Sequence, residues 1–293
     1  MKIVVIGNCQ ARPVASILQK TGEFEILDTI ILHLASNSEA LKHNHIIETA
    51  DFIITQNTAD NFAVDHLRSS ALKDAFGEKV IIWPNIFYAG QQPFIRYFTV
   101  NGIGRLFGPL EAMHDLRIFW DWWEKTYGAS IRPEISDHEF SSVMKANSLS
   151  ELKHREQACD VSISDVIEEH GENEKLFFTF NHPRLRLLNE VCRRILSNIG
   201  TNKSVIHENL DDKEPLSRFI VPSAWATPEG PRETYVGNDF TLETGGRLIM
   251  RNERKNYTVD ELRDAFFQCY DHAKEDLKLE NIRFTPNLKI SPA

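Results

Sequence analysis

The chain has 293 residues, enough for one large domain or two small ones. Its 42% hydrophobic and 26% charged content excludes disorder on the scale of the whole chain. A net charge of −9 offers a nucleic acid no global attraction. No apolar run approaches the roughly 18 residues of a membrane helix. The opening Met1-Lys2-Ile3-Val4-Val5-Ile6 lacks the apolar core of about 7–15 residues that a secretory signal needs. These features predict a cytoplasmic protein with no transmembrane segment and no nucleic-acid partner. The four cysteines, Cys9, Cys159, Cys192 and Cys269, form no C-x-x-C pair, so no zinc or redox motif and no bound metal is predicted.

In chain order, Ile3 to Ile6 reads as a strand buried on both faces. Gly7-Asn8-Cys9-Gln10 breaks it, and Pro13, Val14, Ile17 and Leu18 continue as a helix closed by Gly22. Phe24 to Leu34 is extended and Ser38 to Glu48 helical. Phe52-Ile53-Ile54 is a third strand ending in Thr55-Gln56-Asn57, and a helix follows over Asn61 to Phe76. Val80-Ile81-Ile82 is a fourth strand, ending in Trp83-Pro84-Asn85. Next come an aromatic-rich helix over Pro109 to Tyr127 and helices over 138–146, 150–158 and 163–170. Ser148 to Glu151 fits a capping box. Leu176 to Phe180 reads as the sheet resuming, Asn181-His182-Pro183 as a turn, and Leu185 to Ile199 as a helix. Residues 210–256 read as loops with short extended pieces. Thr258 to Glu261 caps a last helix that buries Leu262, Phe266, Cys269 and Ala273.

This alternation predicts a single α/β domain over 1–293: a mostly parallel sheet flanked by helices, Rossmann-like or SGNH-hydrolase-like, with a helical insertion over 105–172. In such a sheet, ligands bind beyond the carboxyl ends of the strands. The turns at Gly7 to Gln10, Thr55 to Asn57, Trp83 to Tyr88 and Asn181 to Pro183 converge there. Cys9 is the sharpest candidate. It stands between a strand and a helix N-terminus, where free amides and the dipole favour a thiolate. Gly7 permits a tight turn, and Asn8 and the amides of residues 9–11 are candidate oxyanion donors. His182 is the candidate general base. Gln10, Gln56, Asn57 and Asn85 are candidates for orienting substrate. Arg12 is a candidate for holding phosphate, as are Arg96, Arg184 and Arg186 more weakly. Cys159, Cys192 and Cys269 read as packing residues. His33 is a weaker candidate base, and His43, His45, His114 and His138 read as surface or packing residues. The run Gly102 to Gly108 matches no phosphate-loop pattern. The cluster Trp120 to Trp123 reads as core more than as a sugar platform.

The strand running into Gly7-Asn8-Cys9-Gln10, the strand ending Thr55-Gln56 and the later Asn181-His182-Pro183 together resemble the WcbI family of polysaccharide biosynthesis enzymes. The likeness is strong over about the first hundred residues and weaker around 176–200. It implies a bacterial acetyltransferase that uses acetyl-coenzyme A to acylate a sugar hydroxyl of a capsular or surface polysaccharide. Gly7, Asn8, Cys9, Gln10, Thr55, Gln56 and His182 are the positions that match. A homo-oligomer is compatible with this. An esterase-type hydrolase using the same residues, and a non-enzymatic carbohydrate-binding assembly factor, are the alternatives.

Overall fold

The structure, a computed structural model, describes residues 1–201, 214–224, 234–242 and 248–285. The chain divides into two compact units. One comprises Met1–Tyr88, Asn147–Phe177 and Asn181–Leu216; the other comprises Ala89–Ala146, Phe178–Phe180 and Ser217–Ala293.

In the first unit, β1 (Lys2–Gly7), β2 (Glu25–Ile31), β3 (Phe52–Gln56) and β4 (Val80–Trp83) form a parallel sheet in the order β2-β1-β3-β4. Side chains alternate across a strand. Ile3, Val5, Ile54 and Ile81 therefore face one layer, with α1 (Ala11–Lys20) and α7 (Leu185–Ile199). Val4, Ile6, Ile53, Val80 and Ile82 face the other, where α2 (Ala40–Thr49) and α3 (Ser69–Phe76) supply Ile47 and Leu72. Burial on both faces is why these strands read as unbroken apolar runs. Each such Val or Ile contributes about 1.5–3 kcal/mol when fully buried. After β1 the chain moves outward to β2 and then crosses back to β3, so the winding reverses between β1 and β3. The crevice at such a reversal is where doubly wound sheets bind ligands.

In the second unit, β5 (Ile95–Val100) pairs antiparallel with β6 (Gly104–Arg105), β7 (Met113–Asp115) and β12 (Ile282–Thr285). The hairpin β10 (Tyr235–Leu242) and β11 (Leu248–Tyr257) and the helices α4 (Leu116–Tyr127) and α8 (Val259–His272) complete it. Its core is aromatic. Phe98 stacks on Phe284 at 5.0 Å and meets Phe119 edge-on at 4.9 Å. The Thr258 capping box forms as expected, with Glu261 N donating to Thr258 Oγ1 at 3.2 Å and Thr258 N to Glu261 Oε2 at 2.8 Å.

Several elements differ from the sequence reading. The helix expected from Asn61 starts at Ser69. Its Ser69 N donates to Thr58 Oγ1 at 2.7 Å, a side-chain partner that competes with an earlier helical start. Residues 113–115 form β7 rather than helix. The Asp115 carboxylate then caps α4 by accepting from Arg117 N at 3.0 Å. Residues expected as two helices form one, α5 (Asp137–Glu156), which runs straight through Ser148 to Glu151. Leu149 and Leu152 continue its buried stripe, and packing overrides the local cap preference. α6 (Ser164–His170) follows. The stretch 105–172 is shared between the units: α4 and the first half of α5 lie in the second, while Leu152, Val161, Ile163 and Ile167 join the core of the first. β8 (Phe177–Thr179) pairs with β9 (His182–Pro183) instead of joining the parallel sheet. The stretch 210–256, expected as loops with short extended pieces, holds the longer strands β10 and β11. The positions 210–213, 225–233 and 243–247 of that stretch lie outside the described residues. Among the described residues no helix is long and apolar enough to cross a membrane.

Candidate active site at the strand ends

The turn after β1 is held by a closed set of amide hydrogen bonds. Asn8 N donates to Gln56 Oε1 at 2.7 Å, at the end of β3. Gln56 Nε2 donates to Gln10 Oε1 at 2.9 Å, and Ile86 N donates to the same oxygen at 3.2 Å. Gln10 Nε2 in turn donates to Ile86 O and to Asn181 O, both at 2.8 Å. Asn8 Nδ2 donates to Asn85 Oδ1 at 2.9 Å. Gln10 is wholly buried and Gln56 nearly so. A buried amide left without partners costs about 1–3 kcal/mol, and here the fully bonded Gln10 amide ties four distant segments into one geometry. Gly7 is required for packing as well as for the turn: a Cβ there would lie 2.8 Å from Gln56 Oε1.

Cys9 stands inside this frame, half-buried at the edge of the core and one residue before the N-cap of α1. Asn181, the residue before His182, accepts from Gln10, the residue after Cys9. The two candidate reactive residues therefore flank the two ends of one hydrogen bond. His182 is half-buried as a residue, but its Nδ1 is buried and has no hydrogen-bond partner among the described residues. Burial lowers its pKa to about 4, so the ring is neutral at pH 7 and able to accept a proton.

The structure places other candidates differently. Thr55 is fully buried, and its hydroxyl bonds to Gln56 O at 3.2 Å. Strand alternation sets it with Ile53, on the face opposite to Gln56. Asn57 joins helices: its Oδ1 accepts from Ser69 Oγ at 3.0 Å, and its Nδ2 donates to Arg155 O at 3.4 Å. Two amides expected as oxyanion donors are engaged locally, Gln10 N with Asn8 Oδ1 at 2.9 Å and Ala11 N with Asn8 O at 3.0 Å. The second hydrogen on Asn8 Nδ2 has no partner among the described residues. Arg12 is exposed. His33 and His45 are exposed too, and His43 pairs with His66 at 2.9 Å, away from these residues. Arg184 pairs with Glu214 at 3.0 Å, and Arg186 pairs with Glu174. Among the described residues no group of three or more His, Cys, Asp or Glu is placed to hold a metal.

Arg155, near the end of α5, was not a candidate from the sequence. Its NH2 donates to Phe87 O at 2.8 Å, its guanidinium lies over the Phe87 ring at 5.8 Å, and its buried Nε has no partner. It forms no ion pair among the described residues. The neighbouring Glu156 carboxylate is engaged in capping α6, accepting from Ile163 N at 2.6 Å and Ser164 N at 2.9 Å. Burial lowers the pKa of Arg155, and the nearby Glu151 and Glu156 offset this only in part. Only the fold reveals this, because nothing local in the sequence separates Arg155 from any helical arginine.

The first unit is an open parallel α/β sheet with the cysteine turn fixed at its topological switch point, the place where such sheets bind ligands. The sequence matches the family model of the polysaccharide biosynthesis enzyme WcbI over residues 2–204, and the chain belongs to that family. A solved structure of WcbI, described as a polysaccharide biosynthesis enzyme in native form without a disulfide between coenzyme A and a cysteine, shares the fold. Its TM-score is 0.69 at 15% identity, over 94% of this chain and 90% of that one. No curated protein matches the sequence.

Proposed function

We propose that the protein is an acetyltransferase that moves an acetyl group from acetyl-coenzyme A to a sugar hydroxyl of a capsular or surface polysaccharide precursor. The observation that carries this is the amide frame at the switch point, in which Gln10, next to Cys9, donates to Asn181, next to His182, a histidine whose buried Nδ1 has no partner among the described residues. The family's role in polysaccharide synthesis supplies the acceptor class, and the coenzyme A named with the related structure supplies the donor.

In this reading His182 takes the Cys9 thiol proton as Sγ attacks the thioester carbonyl carbon. The carbon–sulfur bond to the coenzyme breaks, and the proton leaves with the coenzyme thiol. His182 next takes the proton of the sugar hydroxyl as its oxygen attacks the acyl carbon. The bond to Sγ breaks, and that proton returns to the sulfur. Asn8 Nδ2 stabilises the oxyanion of both steps, a contribution on the order of 10²–10³ in rate. Arg155 and the exposed Arg12 receive donor phosphates, since a guanidinium without a carboxylate partner gains most from an anion.

The test is the release of coenzyme thiol from acetyl-coenzyme A, with and without sugar acceptor. Transfer requires release that rises with acceptor and acetyl that appears on the sugar. Rapid release to water without acceptor identifies a hydrolase. Coenzyme-independent carbohydrate binding, unchanged in Cys9→Ala and His182→Gln, identifies an assembly factor.

A further inference from the structure

A carboxamide can turn either its oxygen or its nitrogen toward a neighbour. At the strand ends of the first unit, backbone groups decide which way each one faces. Ile86 N donates to Gln10 Oε1 at 3.2 Å and Ile86 O accepts from Gln10 Nε2 at 2.8 Å, so Gln10 cannot be turned over. Asn8 N donates to Gln56 Oε1 at 2.7 Å, which directs Gln56 Nε2 to Gln10 Oε1 at 2.9 Å. Gln10 N donates to Asn8 Oδ1 at 2.9 Å. Turning Asn8 over would set its own hydrogens against that N–H. Asn8 Nδ2 must then face Asn85, and Asn85 must present Oδ1 to it, at 2.9 Å.

This fixed sequence of donors ends at Asn85 Nδ2. Both of its hydrogens, like the second hydrogen of Asn8 Nδ2, have no partner among the described residues, and both residues are half-buried. The segment carrying Asn85 is held on either side. Pro84 has its φ locked by its ring. Gln10, which follows Cys9 in the chain, engages both the amide and the carbonyl of Ile86. Phe87 O accepts from Arg155 NH2 at 2.8 Å. A donor held this way needs no reorganisation when charge develops next to it.

The chemistry of these groups selects what they serve. They are neutral and they donate. A phosphate gains more from a guanidinium. An oxygen that becomes charged only during reaction gains most from preorganised neutral donors, and the ground-state carbonyl gains less.

We propose that Asn85 Nδ2 is a catalytic donor that joins Asn8 Nδ2 in a two-amide oxyanion hole for the tetrahedral intermediate. The assignment rests on the transferase reading above. The alternative role for Asn85 is positional, accepting from Asn8 Nδ2 and doing nothing more.

Asn85→Asp separates the two roles. Its carboxylate still accepts from Asn8 Nδ2, but both donor hydrogens are lost and a negative charge takes their place. Asn85→Ala loses acceptor and donors together and adds no charge. The test uses the full chain and acetyl-coenzyme A, and reads the release of coenzyme thiol in the first turnover against acetyl-coenzyme A concentration. The maximal rate of Asn85→Asp is expected to fall about 10²–10³-fold, at least as far as that of Asn85→Ala. The melting temperature of both variants, and the half-saturating concentration of Asn85→Ala, are expected to change little. A positional role gives the opposite order, with Asn85→Asp close to the parent and Asn85→Ala impaired, and that order overturns the proposal while the transferase reading stands. A parent chain that releases no thiol overturns the transferase reading, and the oxyanion assignment with it.

Discussion

Two histidines, one in each unit, have the same depressed pKa and opposite meanings. His114 in the second unit and His182 in the first are both lowered to about 4 by burial. His114 is saturated, with Nδ1 at 2.9 Å from Tyr270 OH and Nε2 at 2.9 Å from Leu106 O. Rings of Phe98, Phe266 and Tyr270 surround it. His182 has a buried Nδ1 with no partner among the described residues. Burial alone therefore does not mark a site. A buried group whose bonding capacity is incomplete does. The arginines repeat the lesson: Arg117 pairs with Asp115 and Tyr235, whereas Arg155 has no carboxylate at ion-pair distance among the described residues. The cysteines complete it. Cys192 and Cys269 are wholly buried in helix packing, and burial raises both thiols far above the usual range. Cys9 is half-buried at the strand ends.

The comparison breaks if the two histidines respond alike to substitution. His182→Gln is expected to lower acetyl transfer by about 10²–10⁴ while changing the melting temperature little, because it removes a proton acceptor whose Nδ1 has no hydrogen-bond partner among the described residues. His114→Leu is expected to do the reverse. It strands Tyr270 OH and Leu106 O, at a cost of about 2–4 kcal/mol in stability, and leaves the activity of the folded fraction intact. Denaturant midpoints and transfer rates on both variants decide the matter.

A smaller effect sharpens the same comparison. Both rings have native pKa values near 4, against about 6.5 when unfolded. Between those values the unfolded chain binds more protons than the native one. Stability is therefore complete above pH 6.5 and falls as the pH drops toward 4. Denaturant titrations across that window should show a shallower slope in His114→Leu than in the parent. His182→Gln should flatten it by a similar amount, because the two rings have the same lowered pKa.

The parallel sheet was legible because burial on both faces writes itself as apolar runs, and the turn Gly7 to Gln10 because it interrupts the first of them. Gln10, Gln56 and Asn85 were visible as polar residues at strand ends. Their partners were not: Gln10 reaches Asn181 across 171 positions, and no local pattern encodes that pairing. Thr55 illustrates the opposite error, a polar residue beside the site whose side chain alternates away from it. The second unit was the least legible. β5 reads Ile95-Arg96-Tyr97-Phe98-Thr99-Val100, alternation that becomes a strand only because β7 and β12 arrive from both sides. Arg155 has no local signature, since its neighbour Glu156 caps a different helix only in the folded chain.

The most direct measurement is the mass of the peptide containing Cys9 after brief exposure of the full chain to acetyl-coenzyme A without acceptor. The account predicts an acetyl group on Cys9 that disappears when a sugar acceptor is added. Unmodified Cys9, together with undiminished transfer by Cys9→Ala, would contradict it.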